Sequence, residues 1–295
     1  MTFCLRRREF ITALGGAAAW PEVARAQRRP AMPVIGLLLS GTPESQANNI
    51  ATFRKGLNEI GFVEGRNVVI EYRWAYDQTD RLPELAAELV RLRVNVIAIP
   101  GSILATVAAK AATTSIPIVF QIGADPVQIG VVASLNRPGG NVTGVTTMNA
   151  DLVSKRLGLV HDLMPRAGHF GLLVNPNYPF TESLITDARS AAMAIGLQIE
   201  ILAASTNRGI DAAFAGIAQR QIGAVLVTSD PLFGNRRVQI VALAAHYRVP
   251  TIYPWRDNAE AGGLLSYGTN LADAHRQVGI YTGRVLKGEK PRTCR

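Results

Sequence analysis

The residues of this chain whose types suit chemistry stand where short apolar runs end. Ser40 and Thr42 follow the run that opens at Pro33, and Gly101 and Ser102 follow the run ending at Pro100. Asp125 precedes Pro126, Asn175 closes another apolar run, and Asp230 precedes Pro231. Tyr253 and Tyr267 end the last two runs, with Trp255 close by. Glycines and small hydroxyls at such places turn backbone N–H groups at helix N-termini toward an anion such as a carboxylate. Asp125 or Asp230 suits an ammonium, and Tyr253, Trp255 and Tyr267 offer flat apolar surface to a planar group. Each also has a plainer use. Asp before Pro starts helices, so Asp125 and Asp230 also read as N-caps, as does Ser102. Tyr253 and Trp255 also read as core residues at a strand end.

Other chemistries lack their residues. There is no Walker loop, and Leu264-Leu265-Ser266-Tyr267-Gly268 lacks the first glycine of a nucleophile elbow. His161, His169, His246 and His275 stand far apart, without metal-ligand spacing. Gly139-Gly140-Asn141-Val142-Thr143-Gly144 has the wrong spacing for a dinucleotide fingerprint. The reading therefore assigns no catalytic residue, no metal and no cofactor.

The elements that must position the strand-end residues alternate along the chain. Strands are predicted at 33–40, 67–74, 94–100, 116–122 and 141–147, with helices at 45–60, from Asp80 to 92, at 103–114 and from Asp125. After a helix at 151–163 the rhythm restarts, with strands at 169–175, 198–203, 223–229, 249–253 and 263–267. Helices are predicted at about 181–195, 208–219 and 235–246, and a last one at 271–287. Strands that alternate with helices imply parallel sheets covered on both faces. Two five-strand lobes fit better than one sheet of ten strands. The expected division is an N-terminal lobe over 27–147 and a C-terminal lobe over 148–262. The strand and helix of 263–291 are expected to return to the first lobe, giving hinge strands between the two. In open parallel sheets ligands bind beyond the carboxyl ends of the strands, so one half-site on each lobe would form a hinged clamp.

Composition bounds the rest. The 295 residues are 48% hydrophobic and 18% charged, enough for a buried core. The net charge of +9 is scattered rather than gathered into a nucleic-acid arm, so no nucleic-acid partner is expected. Cys4 and Cys294 lie near the two ends, which excludes an internal disulfide framework. Residues 1–26 read as a secretory signal: a basic patch, an apolar stretch from Phe10 to Trp20, and Ala24 and Ala26 before cleavage. Arg7-Arg8-Glu9-Phe10-Ile11 resembles a twin-arginine export signal, with the general secretory route as the alternative. A mature chain starting near Gln27 in the periplasm is the expectation.

Several stretches together resemble one family. They include PVIGLLLSGTPES from Pro33, FRKGLNEIGFVEGRNVVIEYRWA from Phe53 and DPVQIGVVASLNRPGGNVTGVT from Asp125. LLVNPN, GAVLVTSDP and the segment from Val249 to Pro291 share the likeness. The family is the ABC-transporter substrate-binding proteins of the tryptophan-binding-like branch, with the type I periplasmic binding protein fold. The resemblance implies two Rossmann-like α/β lobes closing on a small solute, amino-acid-like or aromatic. It also implies delivery to an inner-membrane ABC permease by a monomer that arrives through the export machinery. The competing functions are a ligand-sensing module for a membrane receptor and an enzyme on the same frame. A DNA-binding regulator of this fold would need a helix-turn-helix where the signal segment stands. Arg292-Thr293-Cys294-Arg295 departs from the family pattern, and the reading expects a shortened member there.

Overall fold

The computed structural model describes residues 32–136, 138–147 and 152–291. The export signal with Arg7, Arg8, Phe10, Ala24 and Ala26, most of the first lobe crossing, and the tail with Cys294 lie outside those residues. The compact body begins at Val34.

Its first half runs β1 (Val34–Leu39), α1 (Ala47–Glu59), β2 (Val69–Trp74), α2 (Leu82–Arg91), β3 (Val96–Pro100), α3 (Ile103–Ala112), β4 (Ile118–Ile122) and β5 (Val142–Thr146). Then come α4 (Val153–Leu163), β6 (His169–Val174), α5 (Thr181–Ala194), β7 (Gln198–Ala203), α6 (Asn207–Ala215) and β8 (Ala224–Val227). The chain ends with α7 (Pro231–Asn235), α8 (Arg237–His246), β9 (Thr251–Tyr253), α9 (Arg256–Glu260), β10 (Leu265–Ser266) and α10 (Leu271–Leu286).

Two parallel five-stranded sheets result, ordered β2-β1-β3-β4-β5 and β7-β6-β8-β9-β10. The pleat sends alternate residues to opposite faces, so each sheet feeds two cores. In β1, Ile35, Leu37 and Leu39 pack with Phe53 and Leu57 of α1 and Val278 of α10. Leu38 points the other way, toward Leu85 and Leu89 of α2. In the second sheet Phe170 and Leu172 face α4 and α5, whereas Leu173 faces α6 and α8.

The last two elements part company. The expected strand over 263–267 does not return to the first lobe, because β10 pairs β9 through Leu265 and Ile252 in the second sheet. Only α10 crosses over. It lies on α1 backbone to backbone, where a side chain on Gly56 would strike the Arg276 carbonyl and one on Gly279 the Phe53 carbonyl. The Arg276–Glu59 pair at 2.7 Å holds the same contact from outside.

Two local expectations fail. No helix opens at Asp125. The chain makes one turn there, stopped by Gly130 in the left-handed region at φ +69, with Val131 and Val132 N–H both donating to the Pro126 carbonyl. Asp80 caps no helix, since it sits inside a 3₁₀ turn over Thr79–Arg81 that leads into α2. The helix foreseen at about 235–246 forms as α8, and the short α7, which was not foreseen, precedes it.

Candidate functional site

In each sheet the strand order reverses between the first and third strands laid down, β1 and β3 in one, β6 and β8 in the other. Helices leave the two strands on opposite faces there, which opens a crevice at the carboxyl ends. Ser40 and Ser102 flank that point in the first sheet, Asn175 and Asp230 in the second, and all four line one recess. The Asn175 amide nitrogen lies 3.3 and 3.4 Å from the two Asp230 carboxylate oxygens. Asp230 also accepts from Leu232 N–H at 2.8 Å, so it caps α7 as well as lining the recess. Ser102 likewise accepts from Ala105 N–H and caps α3. Burial pushes the Asp230 carboxyl up to about 6, and the charge of Asp77 adds to the rise. The N–H groups of Leu232, Asn175 and Phe233 pull the other way.

A second recess adjoins the first across Ile103, Tyr178, Pro231 and Asn235. It spans about 750 Å³ out to its open mouth. Gly101 lies on its wall together with Gln121, Ser229, Asn258 and His275. Its polar atoms are unusual for a buried place. Gln121 Oε1, Ser229 Oγ, Asn258 Oδ1 and both ring nitrogens of His275 are buried without a hydrogen-bond partner. Each such atom costs about 1–3 kcal/mol until something bonds it. Apolar walls face them. Tyr178 arrives on the loop after β6, and Trp255 lies against Gly234, where an added Cβ would come within 2.9 Å of the indole.

Four of the residues expected at the site do not join either recess. Thr42 exchanges hydrogen bonds with Ser45. Asp125 spends its carboxylate on Val127 N–H at 2.8 Å, the plain turn-capping role. Tyr253 is fully buried in the core of the second sheet with Phe233 and Val225. Tyr267 uses its carbonyl, which accepts from Arg156 Nε at 2.8 Å, while its ring is partly exposed. Gln121, Tyr178, Asn235, Asn258 and His275 were missed. Two of them carried a signal: Gln121 is the one polar residue of the strand IVFQI, and His275 stands four residues from Leu271 and three before Val278, on the inward stripe of α10.

The two halves meet around Asn235. Its Nδ2 donates to Asp77 Oδ1 at 2.5 Å and its Oδ1 accepts from Gln46 Nε2 at 2.6 Å. Beside it Arg236 pairs with Asp77 at 2.9 Å, and Arg237 donates to the Ser45 carbonyl at 3.2 Å. Among the described residues no group of three or more His, Cys, Asp or Glu side chains is arranged to hold a metal ion.

Residues 42–295 match the family of ABC transporter substrate binding proteins. The chain belongs to this family. This substrate-binding protein is 26% identical over 237 residues to a tyrosine-binding protein of Clostridioides difficile, covering 80% of this chain and 68% of that one. Among solved structures it is similar to a conserved domain protein from Vibrio cholerae, with a TM-score of 0.79 at 21% identity over 89% of this chain and 87% of that one. It is also similar to an ABC domain in complex with L-Trp from Streptococcus pneumonia, with a TM-score of 0.78 at 22% identity over the same shares. The fold is that of the type I periplasmic binding proteins. A substrate-binding protein of an ABC importer works outside the cytoplasm with two partners, a small-molecule ligand and a permease. No helix among the described residues is long and apolar enough to cross a membrane.

Proposed function

We propose that this substrate-binding protein captures an amino acid with a planar side chain in the periplasm and passes it, unaltered, to an inner-membrane permease. The observation that carries the reading is the pairing of the two recesses. One holds a buried carboxylate, Asp230, next to hydroxyls and helix N-termini, which suits an ammonium and a carboxylate close together. The other holds Tyr178 and Trp255, which suit a flat apolar body. The names of its relatives, a tyrosine-binding protein and a domain bound to L-Trp, support the same ligand class. In this reading the ligand's head group sits among Ser40, Ser102, Asn175 and Asp230, and Asp125, Tyr253 and Tyr267 touch nothing bound. The protein acts as a monomer and performs no turnover. It leaves the cytoplasm through Arg7 and Arg8, so replacing both by Lys should strand precursor inside the cell.

A thermal-shift panel of amino acids, aromatic acids, nucleosides and aliphatic carboxylates tests the ligand. A true ligand at a hundred times its Kd stabilises by about 2.7 kcal/mol. The ligand should be recovered chemically unchanged after incubation. If no aromatic amino acid shifts the transition while another class does, the ligand assignment is wrong. If the recovered compound is altered, the receptor reading is wrong.

A further inference from the structure

Gln121 and His275 are far apart along the chain, one on β4 and the other on α10, the helix that crosses back to the first lobe. Both side chains are nearly inaccessible, at 2% and 1% exposure. Gln121 Nε2 donates to Thr147 Oγ1 at 3.3 Å, which sets the amide so that Oε1 is the free end. Neither nitrogen of His275 has a partner. The two side chains converge on one spot above Gly101. A Cβ built there would lie 3.5 Å from His275 Nε2 and 3.6 Å from Gln121 Oε1. Gly101 has φ +104, a conformation that suits glycine, so the space stays clear.

We propose that Gln121 and His275 form a station that selects ligands whose planar side chain ends in a neutral hydroxyl. This rests on the cleft being the ligand site. The chemistry follows from the donor inventory. The Gln121 oxygen only accepts, whereas a neutral imidazole offers one donor and one acceptor. A hydroxyl donates to Oε1 and accepts from an Nε2–H, so with the proton on Nε2 one ligand atom relieves two buried groups. A carboxylate would face the Gln121 oxygen with no proton to give. A bare ring would leave both groups unpaired, and a site with polar groups built to bond a hydroxyl rejects the analogue lacking it. Burial also drives the His275 pKa down to about 4, so the ring is neutral at physiological pH.

The experiment is calorimetry on the purified full chain with two ligand pairs: L-tyrosine against L-phenylalanine, and 4-hydroxyphenylacetate against phenylacetate. The hydroxylated member should bind at least tenfold tighter. Gln121→Met and His275→Phe should each bring that ratio toward one, and each should raise the melting temperature of the empty protein, since an unpaired buried polar group has gone. The ratio is the readout because a general loss of stability weakens both members alike. In the wild type, the ¹⁵N resonances of the His275 ring should move with the hydroxylated member only. A wild-type ratio at or below one overturns the proposal even if neither variant folds, and so does a ratio unchanged in both variants. If no member of either pair binds while another ligand class does, the aromatic-ligand reading falls and this proposal falls with it. Binding of both members with equal affinity sinks this proposal alone.

Discussion

Asp77 and Arg236, 159 residues apart, meet in an ion pair of 2.9 Å that joins the loop after β2 to the junction of α7 and α8. The loop is built to offer that carboxylate. Tyr76 and Asp77 both have positive φ, at 53° and 62°, which costs non-glycine residues about 1 kcal/mol or more each. The Asp77 N–H pays this back in part by donating to the Ser40 carbonyl at 2.7 Å. Asp77 is well covered, with its side chain 13% exposed, and it takes Asn235 as well as Arg236. The pair therefore links the halves directly, with Asp77 itself on the wall of the recess that holds Asp230.

Removing that link should loosen closure. Asp77→Ala should weaken ligand binding by about 1–2 kcal/mol, roughly five- to thirtyfold, after allowance for solvent around the one-third-exposed Arg236. Arg236→Ala should cost less, because Asn235 still holds Asp77, and the double variant should cost less than the sum. Calorimetry gives the affinities, and small-angle scattering of the ligand-free variant should show a larger radius of gyration. Wild-type affinity in Asp77→Ala would mean that the pair is incidental to closure.

The parts of this site that were legible in the sequence are those set by strand ends. Ser40, Ser102, Asn175 and Asp230 each close a buried run, and parallel sheets of one strand order bring such ends together. Reading every strand end as a site residue overreached. Tyr253 ends a three-residue strand whose side chains all point into packed core, and β10 is only two residues long. Asp125-Pro126 looked like a helix start, but a turn offers the same carboxylate the same N–H bond. Asn235 and Arg236 were illegible for another reason. Their partners, Gln46 and Asp77, lie more than 150 residues away, and a polar contact across two lobes leaves no period in either segment. The hydrophobic pattern likewise could not say which sheet β10 joins, since a short strand buries equally well in either.

Gly279→Ala should unfold the protein at lower temperature. The new methyl meets the Phe53 carbonyl, a backbone atom that cannot rotate away, so α10 must lift from α1. Overpacking of this kind costs about 1–3 kcal/mol, and the transition should fall by roughly 3–10 °C. Because His275 lies one turn earlier on the same helix, ligand affinity should fall too. Gly158→Ala is the control: it is also helical, an added methyl there meets nothing within 4 Å, and the change should stabilise slightly. Equal melting temperatures for the two variants would mean that the α1–α10 contact is slack.

Tyr253→Phe should leave ligand binding unchanged. The ring is fully buried against the second core, and its hydroxyl makes no well-formed hydrogen bond and faces only Thr251 of its own strand, so removing it takes away a poorly paired polar atom and no cleft contact. Stability should hold or rise slightly. Tyr253→Ala should instead cost about 3–5 kcal/mol through the cavity it leaves. A binding defect in Tyr253→Phe without a change in melting temperature would return this residue to the ligand site.

Asp230→Asn separates capping from ligand binding, because asparagine caps a helix as well as aspartate does. In the empty protein the Asp230 carboxyl titrates near 6, against 3.8 for its ordinary value, so the folded chain holds this proton more tightly than the unfolded one. Stability therefore falls as pH rises between about 4 and 6 and stays lower above that. The cost at neutral pH is of the order of 3 kcal/mol, for a side chain with almost no solvent contact. The Asn variant carries no such charge. It should melt higher than wild type at pH 7, with the difference shrinking toward pH 4. Binding should move the other way. A ligand ammonium bonded to Asp230 favours the ionised carboxylate, so wild-type affinity should weaken below pH 6. At pH 5–6 binding should also release a proton, measurable by calorimetry in buffers of different ionisation enthalpy. At pH 7 Asp230→Asn should lose about 1.5–3 kcal/mol of binding, roughly ten- to a hundredfold. A variant that melts higher yet binds with wild-type strength would reduce Asp230 to a costly cap, and the ammonium would then belong elsewhere in the cleft.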